Sequence, residues 1–178
     1  MNTPVSLAEV KAHLNLDDVD SVPDDELWRT ALAATAMVEA VSGVLRPRQE
    51  TVRVRGGGKR LNLPVWPVLT VDAVVDDSGA EFDPADWWVS GRSRIEPFYG
   101  AVRCRWLDVT VTVGRNPVPD DLVTAVLLQT GLLWGSQRGP ASVGRWTAMQ
   151  GSGVASPGGL DRKRLDDILS LHRLPLLA

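Results

Sequence analysis

Leu27, Ala31, Ala34, Val38, Val41 and Leu45 recur at steps of four and three, the spacing that gathers apolar side chains on one stripe of an α-helix. The stripe is small in its middle, where Ala31 and Ala34 allow another helix to come close. Pro23-Asp24-Asp25-Glu26 precedes it, with acids placed to complement the helix dipole, and Gly43 and Pro47 bracket its end. Upstream, Ser6-Leu7-Ala8-Glu9 has the form of a capping box, predicting a short helix from Leu7 to Leu14. The period changes at Gln49. Thr51-Val52-Arg53-Val54-Arg55 alternates with period two, Gly56-Gly57-Gly58 turns, and Lys59 to Leu63 is expected to return as a β-hairpin with a basic face. Leu69–Val75, Phe82, Trp87–Val89, Arg94-Ile95, Val102–Trp106 and Val109–Val113 read as further short strands, separated by turns such as Asp76-Asp77-Ser78-Gly79. Val118-Pro119-Asp120-Asp121 then starts a helix over Leu122–Trp134 that is apolar nearly all round, the pattern of a helix covered on most faces.

Two features close the chain. Of the 25 residues from Gly135 to Gly159, 7 are Gly, 4 Ser and 2 Pro, with Arg138 and Arg145 and no acid, so a long flexible loop is expected. Loops beyond ~12–15 residues inside a domain are commonly functional or disordered. Trp146 and Met149 sit in its middle, where a partner would cover them; folding back onto the chain itself is the alternative. Leu160 to Arg173 follows as a short amphipathic helix with Leu165, Ile168, Leu169 and His172 on one face, a form suited to docking in another protein's groove.

The fold class expected is therefore α+β. A helical core carries an inserted small antiparallel β-sheet, a long flexible loop and a C-terminal docking helix. We read one domain over 1–178, divided into N-terminal helices (1–47), a β-rich insertion (48–115), a buried helix (116–135), the loop (136–159) and the terminal helix and tail (160–178). A chain of 178 residues can bury roughly 70% of its unfolded surface, enough for a core without staples.

Charge adds a layer that the total conceals. The net is −3, but residues 1–45 carry 8 acids and 2 bases, 46–60 carry 6 bases and 1 acid, and 61–91 carry 6 acids and no base. Residues 92–115 hold 5 bases and 2 acids, and the remainder 6 bases and 5 acids. Alternating blocks favour partners met by charge complementarity, unless folding mixes them. Seven Trp against one Tyr and two Phe is unusual, and Trp is enriched at interfaces.

Chemistry is scarce. One cysteine, Cys104, excludes an intramolecular disulfide framework and reads as a buried, inert thiol. Gly56-Gly57-Gly58-Lys59-Arg60 lacks the Ser/Thr and the strand-to-helix setting of a phosphate loop. His13 and His172 are the only histidines and fit no metal-ligand spacing. No nucleophile elbow or calcium loop is present, and the acidic pairs fall at turns and helix starts. No enzyme activity, cofactor or metal is expected. The N-terminus lacks a signal-peptide pattern, and the longest uncharged run, Leu122–Gln137, falls short of the ~20 residues of a membrane span, so no membrane partner is expected. Arg53, Arg55, Lys59 and Arg60 are candidate phosphate contacts, although a pI near 5.4 and the lack of a reader motif argue against sequence-specific DNA binding.

The order of elements carries a resemblance. LAEVKAHL (7–14) leads to DDELWRTALAATAMVEAVSG (24–43). A β segment with LPVWPVLTV (63–71) and WWVSG (87–91) follows, then VTVGRNPVPDDLVTAVLLQTGLLW (111–134), the loop and the terminal helix. This resembles the head-to-tail connector, or adaptor, proteins of long-tailed bacteriophages, over most of the chain, with a longer β segment than the minimal members have. The resemblance implies a structural virion protein made in the host bacterial cytoplasm and located in the neck. It implies a homo-oligomeric ring, commonly dodecameric, beneath the portal, extending the channel through which double-stranded DNA passes. Its partners would be the portal protein and a head-closure (stopper) or tail-completion protein. Leu165, Ile168, Leu169 and His172 would dock on the portal, and Arg145, Trp146 and Met149 would meet a neighbouring neck component. Leu122, Val126, Leu133 and Trp134 would pack between subunits. A nucleic-acid-binding accessory domain using the basic 46–60 hairpin is the alternative, and a stopper component of the same virion is another.

Overall fold

The Ser6 hydroxyl accepts from the Glu9 amide at 3.2 Å while the Glu9 carboxylate takes the Ser6 amide at 2.6 Å, and this capping box starts helix α1 (Leu7–His13). The computed structural model describes residues 3–16, 23–137 and 157–173. Helix α2 (Asp24–Ser42) begins with three acids, and buries Leu27, Ala31, Ala34 and Val38 along the stripe legible in the sequence. Helix α3 (Asp120–Gln137) packs against α2, and α4 (Pro157–His172) packs against α3 and α2. Pro157 lies at the start of α4, where its missing N–H has no intrahelical partner to lose, so this helix begins before the expected Leu160.

The chain, read from sequence as one domain with an insertion at 48–115, divides into two compact units. One comprises 1–42 with 118–178, and the other Gly43–Pro117. The helical unit is the four helices just described. The expected flexible loop lies outside the described residues from 138 to 156.

The β unit holds two antiparallel sheets rather than one. The first has the order β1-β7-β3-β4, with β1 at Arg48–Arg55, β3 at Val68–Asp76, β4 at Glu81–Phe82 and β7 at Trp106–Val113. The second has the order β2-β6-β5, with β2 at Leu61–Asn62, β5 at Trp87–Val89 and β6 at Arg94–Pro97. A short 3-10 turn, Pro84–Asp86, precedes β5 and is capped by Asp83. Val109, Val111, Val113 and Leu107 of β7 are fully buried, and join Val54, Leu61, Val74, Trp87 and Ile95 in one core. Alternation on β7 places Asp108, Thr110 and Thr112 on the opposite face.

The expected 46–60 hairpin is not formed. β1 pairs along its whole length with β7, from Arg48 opposite Val113 to Arg55 opposite Trp106. Beyond it, the Gly56 and Gly57 amides donate to the Arg105 and Val102 carbonyls at 3.1 and 2.9 Å, so the glycine run leads away from β1. Leu61 instead faces Ile95 across β2 and β6, where both are buried. Period-two alternation identifies a strand but not its partner, and burial of Leu61 with Ile95 decides this one.

Candidate interaction surfaces

Helix α4 turns its apolar face onto its own unit. Leu165 and Leu169 are buried, Ile168 is half-buried, and Leu171 on the outer side is 72% exposed. His172 Nε2 lies 2.7 Å from Asp121 Oδ2, tying the end of α4 to the start of α3. Burial pushes the Asp121 carboxyl up, but the His172 hydrogen bond and charge, with the Leu122 amide, outweigh it and hold its pKa below the usual carboxylate value. Two of the four residues expected to dock on another protein are therefore buried inside the chain, Ile168 is half-buried, and His172 is held by Asp121.

The residues expected to pack between subunits behave similarly. Leu122 and Val126 are fully buried within the helical unit, and Trp134 is nearly so, because α3 is flanked by α2, α4 and α1. Leu133 remains half-buried and lines a groove of about 380 Å³ with Met37, Val41, Leu132 and Leu169. Met37 is half exposed there and its sulfur accepts weakly from Gln129 Nε2 at 3.3 Å. Arg145, Trp146 and Met149 lie outside the described residues.

The basic residues are brought together at one end of the β unit. Arg53 stands over the Trp106 ring at 5.9 Å and 3.7 Å from Asp108, and Arg60 lies 3.1 Å from Glu96. Arg55 and Lys59 are exposed and make no ion pair among the described residues. Pairing of Gly56 with Arg105 adds a residue from 45 positions or more along the chain, which no local pattern could link to this segment. Exposed Trp106 was likewise hidden in a strand-like run.

A depression of about 370 Å³ in the same unit is lined by Asp76, Asp86, Trp87, Tyr99, Arg103 and Cys104. Cys104 is half-buried; burial first, then the charges of Asp77 and Asp76, push its thiol pKa up and favour the protonated, unreactive form. Among the described residues no group of three or more His, Cys, Asp or Glu side chains is arranged to hold a metal ion. No described helix is long and apolar enough to cross a membrane.

No family model matches the sequence, and no curated protein does either. Solved structures do match in fold. A chain of the neck of the empty gene transfer agent particle, with C6 symmetry, superposes with a TM-score of 0.71 at 23% identity, covering 98% of this chain and 92% of that one. A chain of the virion of the native gene transfer agent particle gives 0.72 at 22%, covering 100% and 95%. One from the neck of the native particle, with C12 symmetry, gives 0.64 at 22%, covering 97% and 90%.

Proposed function

We propose that this protein is a structural component of the neck of a phage-like particle, one subunit of a ring beneath the portal that joins head to tail and extends the DNA channel. The observation that carries this reading is the likeness in fold, over 97% or more of the chain, to components of neck and virion assemblies, two of them with C6 and C12 symmetry. Such symmetry repeats one chain around an axis, as a ring does. The role is structural rather than catalytic. The protein is made in the bacterial cytoplasm and resides in the virion neck, with the portal on one side and a stopper or tail-completion protein on the other.

The residues divide the work as follows. Helix α4 is the portal-docking element, and docking through Leu165, Ile168, Leu169 and His172 requires it to exchange its cover on α2 and α3 for one on the portal. Arg145, Trp146 and Met149 meet the neighbouring neck component. Leu133, still partly exposed, is the member of the α3 set that is available to a neighbouring subunit.

Co-sedimentation of the purified protein with its portal, followed by imaging of the complex, tests the reading. A ring on the portal is the expected result, and absence of binding by the intact chain overturns it. A chain ending before α4 that still co-sediments would remove α4 from the docking role. A second reading, duplex binding by the basic 46–60 segment, is favoured by the exposed Arg55 and Lys59, which make no ion pair among the described residues; a duplex affinity of the isolated chain that falls steeply with salt would support it.

A further inference from the structure

Among the described strands that bound a sheet, β1 has eight residues, while β4, β2 and β5 have two, two and three. Edges are commonly blunted by shortness, proline or a bulge. β1 shows none of these. It runs from Arg48 to Arg55 without proline and keeps register with β7 at every position, while the shifts in register fall on β3. The bond from the Gly56 amide to the Arg105 carbonyl makes those two a hydrogen-bonded pair of the same ladder. Alternation then turns the N–H and C=O of Gln49, Thr51, Arg53 and Arg55 away from β7. These backbone groups have no backbone partner among the described residues, and all four residues are exposed. Charge also guards an edge, but here it has one sign. On this face β1 carries Arg53 and Arg55 and no acid, so it repels a second basic strand and admits an acidic one.

A row of unpaired backbone groups is a template for another strand. We propose that β1 receives an extended segment of a neighbouring neck protein, which joins the first sheet outside β1. Alternate side chains of that segment are acidic and face Arg53 and Arg55; those between them are apolar and lie beside Val52 and the buried Val54. Arg55 makes no ion pair among the described residues, and Arg53 is 61% exposed although it lies 3.7 Å from Asp108. This rests on the neck reading above and assigns a partner's place on this chain. A second copy fits the edge less well. The other margins of its sheets are too short to match β1, and pairing β1 with β1 is two-fold, which closes on two copies instead of propagating around a ring. A duplex would engage the arginines and leave the backbone groups unpaired.

The full chain and two variants, Thr51→Pro and Thr51→Val, test it. The Thr51 N–H points off the sheet, so proline there removes no bond to β7 and blocks an added strand. Thr51→Val loses the 2.9 Å contact with the Thr110 hydroxyl and keeps the N–H. Each chain is sedimented with the purified portal and, separately, with the purified stopper protein of the same particle. Amide hydrogen exchange is read residue by residue in the free and bound chains. With one of these partners, wild type and Thr51→Val should bind alike and Thr51→Pro at least ~10-fold more weakly. In that complex the amides of Gln49, Thr51, Arg53 and Arg55 should exchange at least ~10-fold more slowly than in the free chain. Binding that leaves those amides unchanged, or that Thr51→Pro retains in full, overturns the strand site while the neck reading stands. So does slow exchange of the same amides in the free chain, since the chain would then cover its own edge. If Thr51→Pro loses the wild-type circular dichroism, exchange in the wild type decides alone. Slowing caused only by self-association or by a short DNA duplex also overturns the site, giving the edge to a second copy or to nucleic acid. A wild-type chain that binds neither partner overturns both readings.

Discussion

His172 and Asp121 meet at 2.7 Å across 51 residues of sequence, so the last turn of α4 is fastened to the first turn of α3. The carboxylate accepts from the Leu122 amide in the first turn of one helix and meets the side chain that ends another. Its lowered pKa gives the contact a pH signature. A carboxyl whose folded pKa is depressed contributes stability above its unfolded value of ~3.9, and that contribution is lost as pH falls through the folded pKa. With the Asp121 side chain 41% exposed, solvent screening limits the pair to about 0.5 kcal/mol. Asp121→Asn should therefore lower the melting temperature by a few degrees at most at pH 6. The difference from wild type should close in the acid range, as followed by circular dichroism.

Leu165 and Leu169 are buried, so truncating either to Ala removes packing inside the chain before it affects any partner. We expect a loss of about 2–4 kcal/mol in urea unfolding for each, against less than about 0.5 kcal/mol for Leu171→Ala. A Leu165→Asp variant accordingly reports on folding before it reports on docking, so the chain ending before α4 is the cleaner test of portal docking.

His13, the last residue of α1, is half-buried and faces Gly131 of α3. Burial lowers its pKa, Asp161 opposes that and Arg164 adds to it. A histidine held below its unfolded value of ~6.5 disfavours the charged form in the folded state, so stability is full above that pH and falls as pH drops below it. His13→Gln should flatten the dependence of the urea midpoint between pH 7 and 5, relative to wild type.

Gly114 follows β7 with φ +126°, and a Cβ there would stand 2.5 Å from the Arg46 carbonyl oxygen. Neither the backbone angle nor the backbone neighbour can yield easily, so Gly114→Ala should cost roughly 2–3 kcal/mol in chemical denaturation.

Asp72 accepts hydrogen bonds from Gln49, Thr70 and Thr112 at 3.1, 2.8 and 2.7 Å, linking β1, β3 and β7 on the outer face of the sheet. Burial pushes its pKa up, and these three donors bring it below the usual carboxylate value. Asp72→Ala should lower stability by about 1 kcal/mol at neutral pH, with the penalty shrinking below pH ~4 as the wild-type carboxylate protonates. Thermal melts across pH 3–7 measure this.

Local signals made much of the fold legible. Ser6 and Glu9 announce α1, the steps from Leu27 to Val38 give α2, and Val109, Val111 and Val113 mark the buried side of β7. What sequence could not supply was pairing over distance. Nothing near Leu61 points to Ile95, and nothing near Gly56 points to Arg105, so the expected hairpin gave way to two sheets. The surface residues follow the same division. Arg55 and Lys59 were visible as a basic run, whereas Arg105 and Trp106 join them only through the β1–β7 register. An amphipathic stripe such as Leu165-Ile168-Leu169 states that a face is covered, and only tertiary structure states by what; here the cover is the chain's own α2 and α3.

The β unit is entered and left at one place. The Arg115 amide donates to the Leu45 carbonyl and its guanidinium to the Val44 carbonyl, both at 2.9 Å, and Arg48 stands opposite Val113 in the first rung of the β1–β7 ladder. A segment whose two ends are clamped side by side is a detachable cassette. Insertion into or removal of such a segment involves a single junction, at Val44-Leu45 and Arg115.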